Sequence, residues 1–281
     1  MSKDLTGKVA VITGGAGILC GAFARELARL GAAVAILDIQ QEKADDVVRE
    51  ITANGGKAIG IGCSVLDKAS MEAAAEAVKA KLGACHILIN GAGGNHPRGS
   101  TTKETLEPED VNNQDPQQIT FFDLAPEGFQ HVFNLNFMGT FIPTQAFVKQ
   151  MIGQPGAVII NMSSMSAFCP LTKVPAYSAA KAAVSNFTQW LAVHLADVGI
   201  RVNALAPGFF LTEQNRTLLT NPDGSLTPRA QKVMAHTPLR RFGKPEDLFG
   251  TLLWLIDENA AAFVNGVVVP VDGGFMSSTG V

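Results

Sequence analysis

Short runs of aliphatic and β-branched residues alternate with longer Ala/Leu-rich amphipathic stretches along most of this chain. No other feature limits the possible folds as much. "KVAVITG", "AAVAILD", "KAIGIGCSV" and "HILINGAG" read as strands, and "GAFARELARLG", "QEKADDVVREITANGG" and "KASMEAAAEAVKAKLG" between them read as helices. Gly31 closes the first helix, and Asn54 with the Gly55-Gly56 pair closes the second. Strands that alternate with helices pair in parallel through right-handed crossovers, and helices then cover both faces of the sheet. That is why these strands carry so few polar residues.

The rhythm resumes in the second half. "EGFQHVFNLNFMGTFIPTQAFVKQMI" is expected to form one long helix and "GAVIINMSS" a strand, followed by helix "YSAAKAAVSNFTQWLAVHLADVG" and strand "IRVNALAPG". "KPEDLFGTLLWLIDE" and "GVVVPVDGG" supply a last helix and a last strand. The expected fold is a single α/β domain over residues 1–281, doubly wound in the Rossmann manner. A chain of 281 residues, 47% hydrophobic, suits one large domain better than two small ones. Two segments interrupt the pattern. Residues 94–126 are rich in Pro, Asn, Gln, Thr and charge, and loops of that length inside a domain are usually functional or disordered. Residues 209–241 mix helix and loop and would form a lid on the substrate side.

Composition excludes several classes. The net charge of −3 offers no basic surface for nucleic acid or anionic membrane. Cys20, Cys63, Cys85 and Cys169 form no C-x-x-C pair and no zinc-like spacing with histidine, so no metal site is expected and buried thiols are. No apolar run reaches the ~20 residues of a membrane span. The N-terminus enters a strand at once without a signal-peptide pattern, which points to the cytoplasm.

"VITGGAGILCG" falls where the first strand turns into the first helix. Glycines there let backbone approach a pyrophosphate, and the helix N-terminus offers unpaired N–H groups. Such a turn also occurs with no ligand at all. Asp38 narrows the choice. It ends the second strand, where a carboxylate can bond the adenosine ribose hydroxyls and repel a 2′-phosphate, favouring NAD(H) over NADP(H). "NGAGG" makes a second glycine turn at the same carboxyl edge.

Tyr177 and Lys181 stand at i and i+4, on one helical face. Tyrosine is a poor acid–base group at neutral pH, and an ammonium beside it would lower its pKa. Ser164, at the end of the preceding strand, could hold a substrate oxygen. Each residue alone also has an ordinary structural reading: a surface pair for Tyr177 and Lys181, a cap for Ser164.

Taken together, these motifs resemble the short-chain dehydrogenase/reductase family of the single-domain type, over essentially the whole chain. "TGGAGIL" is similar to its cofactor loop, "NGAG" to its Asn-Asn-Ala-Gly motif, "YSAAK" to its Tyr-x-x-x-Lys, and "APGFFLT" to its Pro-Gly segment. The resemblance implies a catalytic set of Asn136, Ser164, Tyr177 and Lys181, with Asn136 holding a water that links Lys181 to solvent. It implies phosphate-side contacts at Gly14, Gly17, Ile18 and Leu19, and adenine contacts at Ser64 and Val65. Asn90, Ala92, Tyr177 and Lys181 would also contact the cofactor, and Pro207, Gly208, Phe210 and Thr212 would lie near the nicotinamide. It also implies a homotetramer. The chain departs from the family pattern at Ile18 and Cys20, where glycines are usual, at Gly91 in place of a second Asn, and at Ser64 in place of Asp.

Finer details are similar to sugar-acid members of the family, of the D-mannonate oxidoreductase (fructuronate reductase) type. An anionic sugar needs cations and polar groups at the site mouth. Asn95, His96 and Arg98 follow the fourth strand, Ser166 and Lys173 lie between Ser164 and Tyr177, and Arg216 follows the Pro-Gly segment. Any one of these is otherwise a solvated surface residue. The alternatives are a dehydrogenase for another polyol or keto acid, and a non-catalytic NAD-binding protein.

Overall fold

The computed structural model describes residues 4–211 and 218–278. Seven strands form one sheet: β1 (Val9–Thr13), β2 (Ala33–Asp38), β3 (Lys57–Gly62), β4 (Ile87–Asn90), β5 (Val158–Met162), β6 (Arg201–Pro207) and β7 (Val268–Val271). All neighbours are parallel, in the order β3-β2-β1-β4-β5-β6-β7. The expected doubly wound fold is present. The chain runs outward in one direction from β1 and in the other from β4, so a crevice opens between their carboxyl ends. Register sets polar residues in a row along that edge: Thr13 pairs with Asn90, and Asn90 with Asn161.

Successive strand residues point to opposite faces, so two cores form. Ile12, Ile36, Ile89 and Ile160 pack with Phe23 and Leu27 of α1 (Ile18–Arg29) and Leu252 of α8 (Phe249–Ile256) on one face. Val11, Leu37, Leu88 and Ile159 pack on the other. There they meet Met71 of α3 (Lys68–Leu82), Phe147 of α5 (Gly139–Met151) and Leu191 of α6 (Pro175–His194). The first face is completed by α2 (Gln41–Ala53).

Three details differ from the sequence expectation. The long central helix is not uniform: α4 (Pro126–Phe133) joins α5 through a π-helical turn, Asn134–Met138. Asn136 explains it. Its Nδ2 donates to Val132 O at 2.7 Å, the carbonyl that its own N–H would use in an α-helix. Residues 94–126 have a structure of their own, with 3-10 turns at Pro97–Gly99 and Pro108–Asn112. Lys103 Nζ there bonds Glu107 and the buried Asp110. Cys20, Cys63 and Cys85 are buried as expected, but Cys169 is exposed. Among the described residues no helix is long and apolar enough to cross a membrane, and no group of three or more His, Cys, Asp or Glu is placed to hold a metal.

Candidate active site

The cofactor end is built from backbone packed on backbone. Gly14 sits at φ +61°, and a Cβ there would lie 2.8 Å from Ala92 Cα, so only glycine lets the β1–α1 turn meet the β4 turn. Thr13 Oγ1 ties the same turns together, accepting from Gly91 N at 3.1 Å and Ala92 N at 3.2 Å. Gly17 is the N-cap of α1 and supplies no side-chain acceptor, leaving the N–H groups around Ile18 and Leu19 for a ligand. Asp38 ends β2 beside this turn. Its carboxylate accepts from Ala16 N at 3.2 Å and Gln40 N at 3.1 Å, and its remaining lone pairs are available to hydroxyl donors. This arrangement fits a dinucleotide, with pyrophosphate at the α1 N-terminus and ribose at Asp38.

Two departures from the family pattern explain each other. A Cβ on Gly91 would collide with Cys20 Sγ and lie 2.8 Å from Thr13 O. Cys20, where a glycine is usual, fills the space that a side chain at position 91 would take. Burial pushes the Cys20 thiol up to about 12, so it stays neutral and acts as a packing group. The signal was in the sequence as two coincident substitutions, but their contact is visible only in three dimensions.

The other predicted cofactor residues are placed as follows. Ser64 follows β3, its N–H donating to Ser70 Oγ at 3.2 Å, and Val65 is buried against Gly139. Asn90 does not face outward: its Nδ2 bonds Thr144 Oγ1 at 2.9 Å and Asn161 Oδ1 at 2.8 Å in a buried network. Pro207 ends β6 at the same edge, and Gly208 packs against Asp272, where a Cβ would lie 2.6 Å from its Cα. The Phe210 ring is turned into the core against Gly243, so it serves packing. Thr212 and Arg216 lie outside the described residues.

Ser164, Tyr177 and Lys181 come together. Ser164 ends the β5 edge, and Tyr177 stands in the first turn of α6, whose first residue is Pro175. Ser164 lies close enough to Tyr177 to act on its hydroxyl, working to lower its pKa. Ser164 Oγ accepts from Ser166 Oγ at 3.0 Å, which orients it. Lys181 Nζ lies 5.6 Å from the Tyr177 ring centroid and donates to Met162 O at 2.7 Å. Burial holds its ammonium down at about 8.

Tyr177 departs from the simple expectation. Its pKa lies above the ordinary value, because burial outweighs the Ser164 hydroxyl that works to lower it. Lys181 does not offset this in the protein alone: burial brings its own pKa down to about 8, so it has lost its proton before the phenol ionises.

Asn136 is fully buried and clamps the root of the insert, with Nδ2 donating to Gly94 O at 2.7 Å and Oδ1 accepting from Gly94 N at 3.1 Å. A Cβ on Gly93 would lie 2.6 Å from Asn136 Oδ1 and 3.2 Å from Lys181 Nζ, so both side chains border one small space at that glycine. Sequence reasoning missed the roles of Thr13, Gly93 and Asn161, because each works through a partner distant in the chain.

Residues expected on the substrate side surround this group. Asn95 Nδ2 bonds Ser100 Oγ at 2.8 Å, and the His96 ring lies 5.1 Å from that of His131. Arg98 is exposed. Lys173 O accepts from Thr101 N at 3.0 Å, tying the insert to the loop before α6.

Comparison with known proteins agrees with this geometry. The family model for short chain dehydrogenases matches residues 8–223. An uncharacterized oxidoreductase of Bacillus subtilis, UxuB, is 55% identical over 281 residues, covering 100% of this chain and 99% of its own. The 7alpha-hydroxysteroid dehydrogenase of Escherichia coli is 32% identical over 270 residues, covering 96% and 94%. A solved structure with bound NAD, provisionally named D-mannonate oxidoreductase of Haemophilus influenzae, superposes with a TM-score of 0.94 at 50% identity, covering 99% of this chain and 98% of that one. The chain belongs to the short-chain dehydrogenase family.

Proposed function

We propose that this protein is an NAD(H)-dependent oxidoreductase interconverting a sugar-acid hydroxyl and ketone, with D-mannonate + NAD⁺ ⇌ D-fructuronate + NADH + H⁺ as its reaction. The observation that carries the oxidoreductase chemistry is the meeting of Ser164, Tyr177 and Lys181 beside the dinucleotide cradle, with Lys181 Nζ 5.6 Å from the Tyr177 ring centroid. The sugar-acid assignment draws support from the 50% identity to the NAD-bound Haemophilus protein and from that protein's name.

Bound at Asp38 and the α1 N-terminus, NAD(H) would supply the hydride acceptor or donor. The residues of this chain do the rest. In the oxidising direction Tyr177 takes the proton from the substrate hydroxyl as hydride leaves the same carbon. Ser164 donates a hydrogen bond to that oxygen, strongest when it carries most negative charge. In the reducing direction Tyr177 returns its proton to the carbonyl oxygen. Because its pKa is raised, Tyr177 holds this proton at neutral pH, which suits ketone reduction. Lys181 passes the proton onward to a water that Asn136, bordering the same space at Gly93, holds.

Residues 94–126 and 209–241 form the substrate side, with Asn95, His96, Arg98, Ser166, Lys173 and Arg216 as the polar groups for hydroxyls and carboxylate. The experiment is a panel with NADH: fructuronate, tagaturonate, ketogluconates and neutral ketoses. Fructuronate should give the highest kcat/KM. A preference for neutral ketoses overturns the sugar-acid reading, and no turnover of any substrate leaves a non-catalytic NAD-binding protein.

A further inference from the structure

Glu104, in the insert, and Lys232, in α7 (Pro228–His236), are far apart in sequence, yet Lys232 Nζ lies 3.1 and 3.0 Å from the two Glu104 carboxylate oxygens. The pair joins the two segments that flank the substrate side. Lys173 and Arg229 also act electrostatically on the Glu104 carboxylate. Neither side chain makes a hydrogen bond or ion pair among the described residues. Three cations therefore gather around one carboxylate. The other insert carboxylates nearby are already committed, since Glu107 and Asp110 are held by Lys103.

Arg229 adds to the imbalance. It stands in the first turn of α7, where the helix dipole is already positive and a cation is unfavourable unless an anion is present. Lys173 is joined through its carbonyl to Thr101 and stands four residues before Tyr177, so the cluster is tied to the loop that leads into the catalytic helix.

We infer that Lys173, Arg229 and Lys232 form a subsite for the substrate carboxylate, and that Glu104 fills it until a carboxylated substrate arrives. This rests on the sugar-acid reading above and extends it with Arg229, Lys232 and Glu104. The Glu104–Lys232 pair suits such an exchange. The two side chains are 46% and 65% exposed, and solvent-screened pairs are weak. A substrate anchored elsewhere by its hydroxyls presents its carboxylate at high local concentration and can displace Glu104.

The test is calorimetric titration of D-mannonate, and of neutral D-mannitol, into protein saturated with NADH, where no turnover occurs. Wild type should bind D-mannonate more tightly than D-mannitol. Arg229→Met and Lys232→Met should each weaken D-mannonate about tenfold, the usual scale for a lost charge-assisted contact. Glu104→Gln should tighten D-mannonate by about threefold or more, because it removes the competing anion without removing a cation. NADH titration of each variant, with Lys232→Gln as a second substitution, guards against misfolding. Weaker D-mannonate binding by Glu104→Gln would overturn the proposal, since it would make the ion pair a clasp that binding needs. So would cation variants that bind D-mannonate like wild type, while wild type's preference for the acid would keep the sugar-acid reading intact. Equal wild-type affinity for both ligands would sink both.

Discussion

Lys181→Met should make the protein without cofactor more stable at pH 7, although it removes a group the chemistry needs. Lys181 is 4% exposed, and burial holds its pKa at about 8 against an ordinary value of 10.5. At ~1.4 kcal/mol per pKa step, keeping that ammonium buried at neutral pH costs about 3 kcal/mol relative to the unfolded chain. Methionine removes the charge at similar volume but orphans the Met162 carbonyl, a loss of ~1–3 kcal/mol. The net expectation is a gain of about 1 kcal/mol at pH 7. The sign follows from linkage. Between about pH 8 and 10.5 the unfolded chain binds more protons at this site than the folded one, so wild-type stability rises with pH there relative to the variant. The advantage of Lys181→Met should therefore be greatest below pH 8 and reverse by pH 10.5. Urea unfolding of both proteins at one concentration, at pH 7 and pH 10, measures this. A variant less stable by over ~1 kcal/mol at pH 7, with no change in the difference at pH 10, refutes a buried, strained ammonium.

Three further outcomes follow from other parts of the structure. Gly91→Asn should destabilise by about 1–3 kcal/mol through overpacking against Cys20, and Cys20→Gly in the same chain should recover most of it, as a double-mutant cycle in thermal unfolding will read. NADH should exceed NADPH in kcat/KM by at least about tenfold, since Asp38 would face the added phosphate; equal efficiencies count against that role. Sedimentation should find a homotetramer. The aromatic stack of Phe187 and Trp190 leaves Trp190 55% exposed and Val193 81% exposed on α6, a face that a second copy can cover; a stable monomer at micromolar concentration rules this out.

The architecture was legible because periodicity reports burial directly. The strands beginning at Val9, Ala33, Ile87 and Val158 are apolar, as a sheet covered on both sides requires, except for one residue each at or near the carboxyl end (Thr13, Asp38, Asn90 and Asn161), and each lies where the sequence placed it. Tyr177 and Lys181 were legible because their relation is local, one helical turn apart. What the sequence hid depends on partners far along the chain. Asn136 reads as an ordinary helix residue until its side chain is seen taking a carbonyl from the helix and holding Gly94. Cys20 and Gly91 looked like two unrelated departures until the thiol was found in the glycine's space. The raised pKa of Tyr177 was hidden for another reason: spacing gives the distance to Lys181 but not the burial that disfavours the charged form of each.

The most direct test of the central claim compares wild type with Tyr177→Phe, reducing D-fructuronate with NADH and following NADH absorbance. Tyr177 is the chain's only tyrosine, so no other phenol can stand in for it. Wild type should consume NADH and form D-mannonate. Tyr177→Phe should bind NADH with unchanged affinity yet lose about 10²–10⁴ in kcat, the range for a missing general acid. If Tyr177→Phe turns over D-fructuronate at nearly the wild-type rate, the proton comes from elsewhere and the proposed mechanism is wrong.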